Sequence, residues 1–215
     1  MELFFSPLAC SMSGRIALAE VGAAVNLVEV DPHTKRVLAT GEDYRAIHPL
    51  GYVPALRLDD GTVLTENAAV LQFIADEYPA AGFAPPASDR LGRAKLRQWL
   101  SFIGTELHKA LMAPLLGRET PPEVKAWTAA KYASRLAYLD ERLTGREFLL
   151  DRFSVADGYL ATVLNWTQAT PEIELSAYPA VTAYLERMRA RPSVAAALAL
   201  EVPLFRAEIA RRKAA

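Results

Sequence analysis

The chain has 215 residues, 52% of them hydrophobic and 23% charged; that balance excludes a disordered chain and allows one domain or two small ones. Lysine and arginine number 24 against 25 aspartates and glutamates, a net charge of −1, which gives no reason to expect nucleic acid or anionic lipid as a partner. A single cysteine excludes an internal disulfide and fits a reducing, cytoplasmic compartment.

The three histidines, at 33, 48 and 108, lack zinc-site spacing, so no metal is expected. Met1-Glu2-Leu3-Phe4-Phe5 has no basic leader, and no apolar run approaches the roughly 20 residues of a membrane span. Neither a signal peptide nor a membrane segment is expected.

In chain order, Glu2 to Phe5 reads as a strand, and an amphipathic helix runs from Ser11 to Val21 with Gly22 as its stop. Val25 to Val30 is a second strand, bounded by Asp31-Pro32. The polar segment from His33 to Ala46 has room for a loop and a short helix. Asp59-Asp60-Gly61 is a hairpin signal that joins Ala55–Leu58 to Thr62–Leu64 as an antiparallel pair. A helix then opens at Thr65 or Glu66 and ends before Pro79. The order βαβ, polar segment, ββα makes a mixed sheet.

Residues 80–87, with Gly82, Pro85 and Pro86, read as a linker between a first domain over 1–79 and a second over 88–215. Beyond it the apolar period is helical throughout. Leu96, Trp99, Leu100, Ile103, Leu107 and Leu111 fall on one face of a long helix, and Tyr132 to Leu143 forms another. Pro114, Gly117, Pro121 and Pro122 break the chain between them. Ser154-Val155-Ala156-Asp157 resembles a capping box. Two short helices close the chain, Tyr178–Arg189 and Pro192–Leu200. A small α/β domain followed by helices places the site in the first domain, with the second supplying one wall of a cleft.

Several residues could carry chemistry. Cys10 lies on a strand-to-helix turn, where the helix dipole and unpaired N–H groups favour the thiolate; as a lone cysteine it equally fits a small buried apolar residue. Position 13 is Ser, so a two-cysteine redox cycle is excluded while a mixed disulfide with an external thiol is not. Val53-Pro54 precedes a strand. A trans bond is the ordinary form there, and a cis bond would turn the Val53 backbone groups outward. Glu66 either compensates the helix dipole or holds a ligand ammonium, with Asn67 and backbone N–H groups on a carboxylate. Lys35 reads as a solvated lysine. Lys109 reads as a snorkelling surface residue, and His108 as the edge of the core or as a proton donor or acceptor across the cleft.

Taken together these residues resemble the cytosolic glutathione S-transferases, specifically the bacterial beta class. The resemblance spans nearly the whole chain. It rests on Ser6-Pro7-Leu8-Ala9-Cys10-Ser11, on His48 to Pro54, on Leu64-Thr65-Glu66, on Gln98 to Lys109 and on Ser154 to Asp157. It implies a thioredoxin-like N-terminal domain with a mixed four-stranded sheet, an all-helical C-terminal domain lining a second-substrate pocket, a homodimer, and detoxification chemistry.

Carried over by position, Val53 before a cis Pro54 would pair with the cysteinyl backbone of glutathione. Glu66 and Asn67 would take its γ-glutamyl end and Lys35 its glycyl carboxylate. Cys10 would lie beside the sulfur, with Ser101, His108 and Lys109 facing it from the helical domain; Cys10, Ser11 and His108 are the catalytic candidates. The chain departs from the family pattern at Phe4 and Phe5, where many members have Tyr, at Asn67 for Ser, at Ser101 for Asn, and at Gly158, where an apolar residue is usual. The expected activity is conjugation of reduced glutathione, used as substrate, to small hydrophobic electrophiles. The alternatives are a glutathione-dependent disulfide reductase acting through Cys10 and a non-catalytic carrier of apolar ligands.

Overall fold

Leu3, Phe4 and Phe5 are almost wholly buried, and β1 (Glu2–Phe5) accordingly sits inside a four-stranded sheet. The computed structural model describes residues 1–214. They form two compact units, Met1–Ala81 with the chain from Arg191 onward, and Gly82–Ala190. In the first, β2 (Asn26–Glu29) pairs parallel with β1, Leu3 opposite Leu27. On the other side β3 (Ala55–Arg57) pairs antiparallel, Phe4 opposite Ala55. The Asp-Asp-Gly hairpin then returns β4 (Val63–Leu64) to the edge. The order β2-β1-β3-β4 is the mixed sheet that the hairpin signal requires.

Two helices, α1 (Met12–Glu20) and α2 (Asn67–Glu77), pack together. Leu3, Ile16, Leu18, Leu56, Leu71 and Ile74 form the core here. A second cluster gathers Phe4, Val30, Val37, Tyr44 and Ala55. Tyr44 belongs to the polar segment, which contains a single short 3₁₀ turn at Tyr44–Ala46. Its hydroxyl donates to the Tyr52 carbonyl at 2.9 Å, so the one polar atom of a buried ring is satisfied.

The last helix corrects the sequence reading. That reading ends it near Leu200, but α9 runs from Pro192 to Ala214 through Pro203. Its inward residues Val194, Ala197, Glu201 and Glu208 share one face, and it packs against α1. Pro203 is exposed, and so is Ala199, whose carbonyl loses its helical partner. Water can serve that carbonyl, so the proline interrupts one bond on the solvent side and leaves the packed side intact. The expected division assigned this helix to the second domain; its contacts group it with the first.

The second unit is helical. Asp89 caps α3 (Arg90–Phe102) by accepting from the Gly92 N–H at 2.8 Å. The chain then continues as ten residues of wider, i→i+5 bonded helix, Ile103–Met112, and ends in α4 (Ala113–Leu116). The long helix expected from its apolar face is therefore present, with a π-helical middle. A further helix, α5 (Pro122–Ala129), starts on the Pro-Pro pair that reads as a break, since Pro suits a first helical turn. Next come α6 (Tyr132–Leu143), α7 (Val155–Asn165), buried along its whole length, and α8 (Pro179–Ala190).

Asp157 anchors α7. One carboxylate oxygen accepts from the Ser154 N–H and hydroxyl, both at 2.8 Å, and the other from the Leu149 N–H and the Tyr184 hydroxyl, both at 2.9 Å. The pairing forms despite Gly158. Burial raises its pKa, against those hydrogen bonds. Asp157→Asn keeps the shape but turns an amide N–H₂ toward donors at one of the two oxygens. It should cost about 1–3 kcal/mol, read as a lower denaturant midpoint at unchanged slope; an unmoved midpoint would reject the role.

Among the described residues, no helix is long and apolar enough to cross a membrane, and no group of three or more His, Cys, Asp or Glu could hold a metal ion.

Candidate functional site

The turn after β1 carries the cysteine. Ala9 N–H donates to the Ser6 carbonyl, and Met12 N–H to the Ala9 carbonyl, at 3.1 and 3.0 Å, which coils the chain into α1. Ser11 is fully buried, and its Oγ lies 3.3 Å from both the N and the O of Ser6. Its hydroxyl therefore clamps the turn from inside. Cys10 is 9% exposed, and its Sγ donates to the Val53 carbonyl at 3.2 Å. Only the thiol form can make that bond. The Val53–Pro54 peptide is cis.

Leu8, two residues before the cysteine, has φ +57°. Its N–H donates to Glu201 Oε2 at 2.7 Å, while Glu201 Oε1 pairs with Arg15 Nε at 2.8 Å. The Arg15 guanidinium in turn stacks 4.3 Å above the Phe5 ring. Burial outweighs the attraction for both ions: Glu201 is raised to about 7, and Arg15 is lowered from its ordinary value.

The entry to α2 adjoins the cysteine turn through Ser13. Glu66 is exposed and has φ +65°. Asn67 is buried, and its Nδ2 donates to Ser13 Oγ at 2.9 Å. Ser13 Oγ donates its own hydrogen to the Cys10 carbonyl at 2.7 Å. The Asn67 side chain is thus engaged inside the fold, and what it leaves outward is its backbone at the helix N-terminus.

Lys35 has φ +58°, and its stem lies over Gly51, where a Cβ would come within 3.1 Å of it. Gly51 also has φ +65°, so the turn before Val53 needs glycine on both counts. Burial, with the nearby Arg45 charge, lowers the Lys35 pKa, so the half-buried amine gains from an anion. Among the described residues, the non-glycine residues with positive φ are Leu8, Lys35 and Glu66. All three stand in the loops that carry the candidate residues, where strained backbone tends to gather.

Ser101, His108 and Lys109 lie on the continuous α3–π helix of the second unit. Ser101 and Lys109 are exposed, and His108 is half-buried. His108 Nδ1 lies 2.7 Å from the Tyr159 hydroxyl, and the Trp166 ring packs edge-on with centroids 4.9 Å apart. Burial first, then the charge of Lys109, lowers His108 to about 4, so its imidazole is neutral at pH 7.

The first unit thus joins Cys10 to Val53 through one hydrogen bond, holds Ser11 inside the turn against Ser6, and ties Asn67 to the Cys10 carbonyl through Ser13. The sequence reading missed Ser13, Arg15, Glu201 and Tyr159. One signal was available: Arg15 and Glu201 are lone charges within apolar helical stretches, a pattern that calls for a partner.

Residues 9–77 match the family model for the glutathione S-transferase N-terminal domain, and residues 105–192 the one for the C-terminal domain. The glutathione S-transferase GstA of Escherichia coli O157:H7 is 42% identical over 202 residues, 94% of this chain and 98% of that protein. A sphingomonad glutathione S-transferase solved in complex with glutathione superposes with a TM-score of 0.88 at 46% identity, over 94% of this chain and 98% of that one. The beta-class enzyme of Sphingomonas chungbukensis gives 0.88 at 44%, with the same coverage. Sequence and fold agree: the chain belongs to the glutathione S-transferase family, among the bacterial beta-class members.

Proposed function

We propose that the protein is a glutathione transferase that conjugates reduced glutathione to small hydrophobic electrophiles, working as a homodimer in the cytoplasm. The observation that carries this reading is the assembly, in one unit, of the Cys10 turn with Val53, the outward Glu66 and the half-buried Lys35, in a family where a 46%-identical relative was solved with glutathione bound.

In this reading Val53 pairs with the cysteinyl backbone and Lys35 with the glycyl carboxylate. Glu66 takes the γ-glutamyl ammonium. Asn67 contributes its backbone N–H at the helix N-terminus, since its side chain is held by Ser13. Cys10 lies beside the sulfur, with Ser11 holding the turn. Ser101, His108 and Lys109 serve from the helical domain, which lines the electrophile pocket. Phe4 and Phe5 are core residues and offer no phenol to the reaction.

The test pairs two assays on Cys10→Ala. Oxidised glutathione should form a mixed disulfide with the wild type, a Cys10 thiolate displacing one glutathione thiolate from the disulfide, and the variant should form none by mass spectrometry. Conjugation to a generic aryl halide should persist at most of the wild-type rate. If conjugation is absent from the wild type while mixed-disulfide reduction is present and vanishes in the variant, the protein is a reductase; if neither activity is found yet an apolar dye binds, it is a carrier.

A further inference from the structure

His108 is neutral at pH 7 and so carries one N–H, at Nδ1 or at Nε2. Its Nδ1 faces the hydroxyl of Tyr159 on α7 at 2.7 Å. Two arrangements fit that distance: the phenol donates to a bare Nδ1, or an Nδ1–H donates to the phenol oxygen. A phenol is a strong donor whose oxygen is a weak acceptor, because its lone pair is shared with the ring. An unprotonated sp² imidazole nitrogen is a strong acceptor. The first arrangement joins the better donor to the better acceptor, and the tautomer follows from whichever bond the other nitrogen makes.

Neither ring is free to change partners by rotation. Tyr159 is 2% exposed. Its ring meets the imidazole at 89° with centroids 6.1 Å apart, and Trp166 closes on the imidazole at 4.9 Å. His108 also stands on the i→i+5 segment, whose backbone is fixed between α3 and α4.

We propose that Tyr159 is a positioning residue that holds His108 as the Nε2–H tautomer, so that His108 presents a hydrogen-bond donor to its ligand and not a base. The proposal rests on the reading above, in which His108 serves the glutathione sulfur. There Nε2–H donates to the thiolate. The thiol proton passes to water, because Nδ1 is engaged and Nε2 already holds a proton. His108 thus stabilises the nucleophile without generating it.

The experiment is ¹⁵N–¹H correlation of the imidazole in the intact enzyme, with and without glutathione. The wild type should show its proton on Nε2 and an accepting Nδ1; a proton on Nδ1 overturns the proposal, and this spectrum needs no variant. Tyr159→Phe removes one oxygen from a ring that stays packed. It should give a mixture of tautomers and lower kcat for conjugation by about two- to ten-fold, the loss of one neutral hydrogen bond, with a smaller change in KM. A variant with the wild-type tautomer and kcat also overturns the proposal. His108→Ala separates the two levels: if it conjugates normally while the wild-type spectrum shows Nε2–H, His108 leaves the proposed glutathione site and the tautomer assignment stands.

Discussion

Glu201→Ala should destabilise the protein by about 3–5 kcal/mol and lower its melting temperature by roughly 6–20 °C, since about 1 kcal/mol moves a chain of this size by roughly 2–4 °C. The Glu201 side chain is 0% exposed and that of Arg15 is 7% exposed. Removing the carboxylate leaves a guanidinium buried with its charge unpaired, and it also strips the Leu8 N–H of its acceptor. The loss therefore reaches the Cys10 turn, and glutathione affinity should fall with stability. An unchanged melting temperature at pH 7 would show that Arg15 finds another partner.

The same pair sets a pH dependence. Glu201 titrates at about 7 when folded against an ordinary 4.5. Between those values the folded chain holds a proton that the unfolded chain has released. Stability from this group therefore falls as pH rises from about 4.5 to about 7, and is flat on either side. Glu201→Gln cannot titrate and should remove that slope from a series of melting curves.

The first unit was legible because its signals are local. Asp59-Asp60-Gly61 is a hairpin signal carried by three adjacent residues, and Leu3-Phe4-Phe5 is a short apolar run bounded by turn residues that reads as a strand and is buried in the sheet. The second unit was legible as helix because Leu96 to Leu111 keeps one apolar face, but apolar spacing does not distinguish an α from a π ladder, so the Ile103–Met112 segment was hidden. The last helix was read too short, ending near Leu200: it continues through Pro203, where the one hydrogen bond lost lies on the side that faces water. At the site, residue type and position pointed to Cys10 and Glu66, while Lys35, read on its own as a solvated lysine, entered only through the family resemblance. Their supports were not readable. Ser13 and Tyr159 are ordinary residues whose roles exist only through partners 54 and 51 positions away.

Glu66→Ala should weaken glutathione binding by roughly ten- to a hundred-fold, the worth of one charge-assisted hydrogen bond of about 1.5–3 kcal/mol. The case for a ligand role rests on the backbone as much as on the carboxylate. A β-carbon at φ +65° and ψ 115° is a conformation that glycine holds at far lower cost. Helix-dipole compensation needs only an acid in the first turn and gives no reason to place it at such a φ. Glu66→Gly separates the two contributions. It relieves strain of about 1–3 kcal/mol while adding about 0.5–1 kcal/mol of unfolded-chain entropy, so the variant should be no less stable than the wild type. Its glutathione affinity should fall as far as that of Glu66→Ala. Calorimetry with reduced glutathione and melting curves on both variants test this together. Wild-type affinity in both would assign Glu66 to the helix dipole, and a Glu66→Gly variant that melts earlier would show that the positive φ stores no strain.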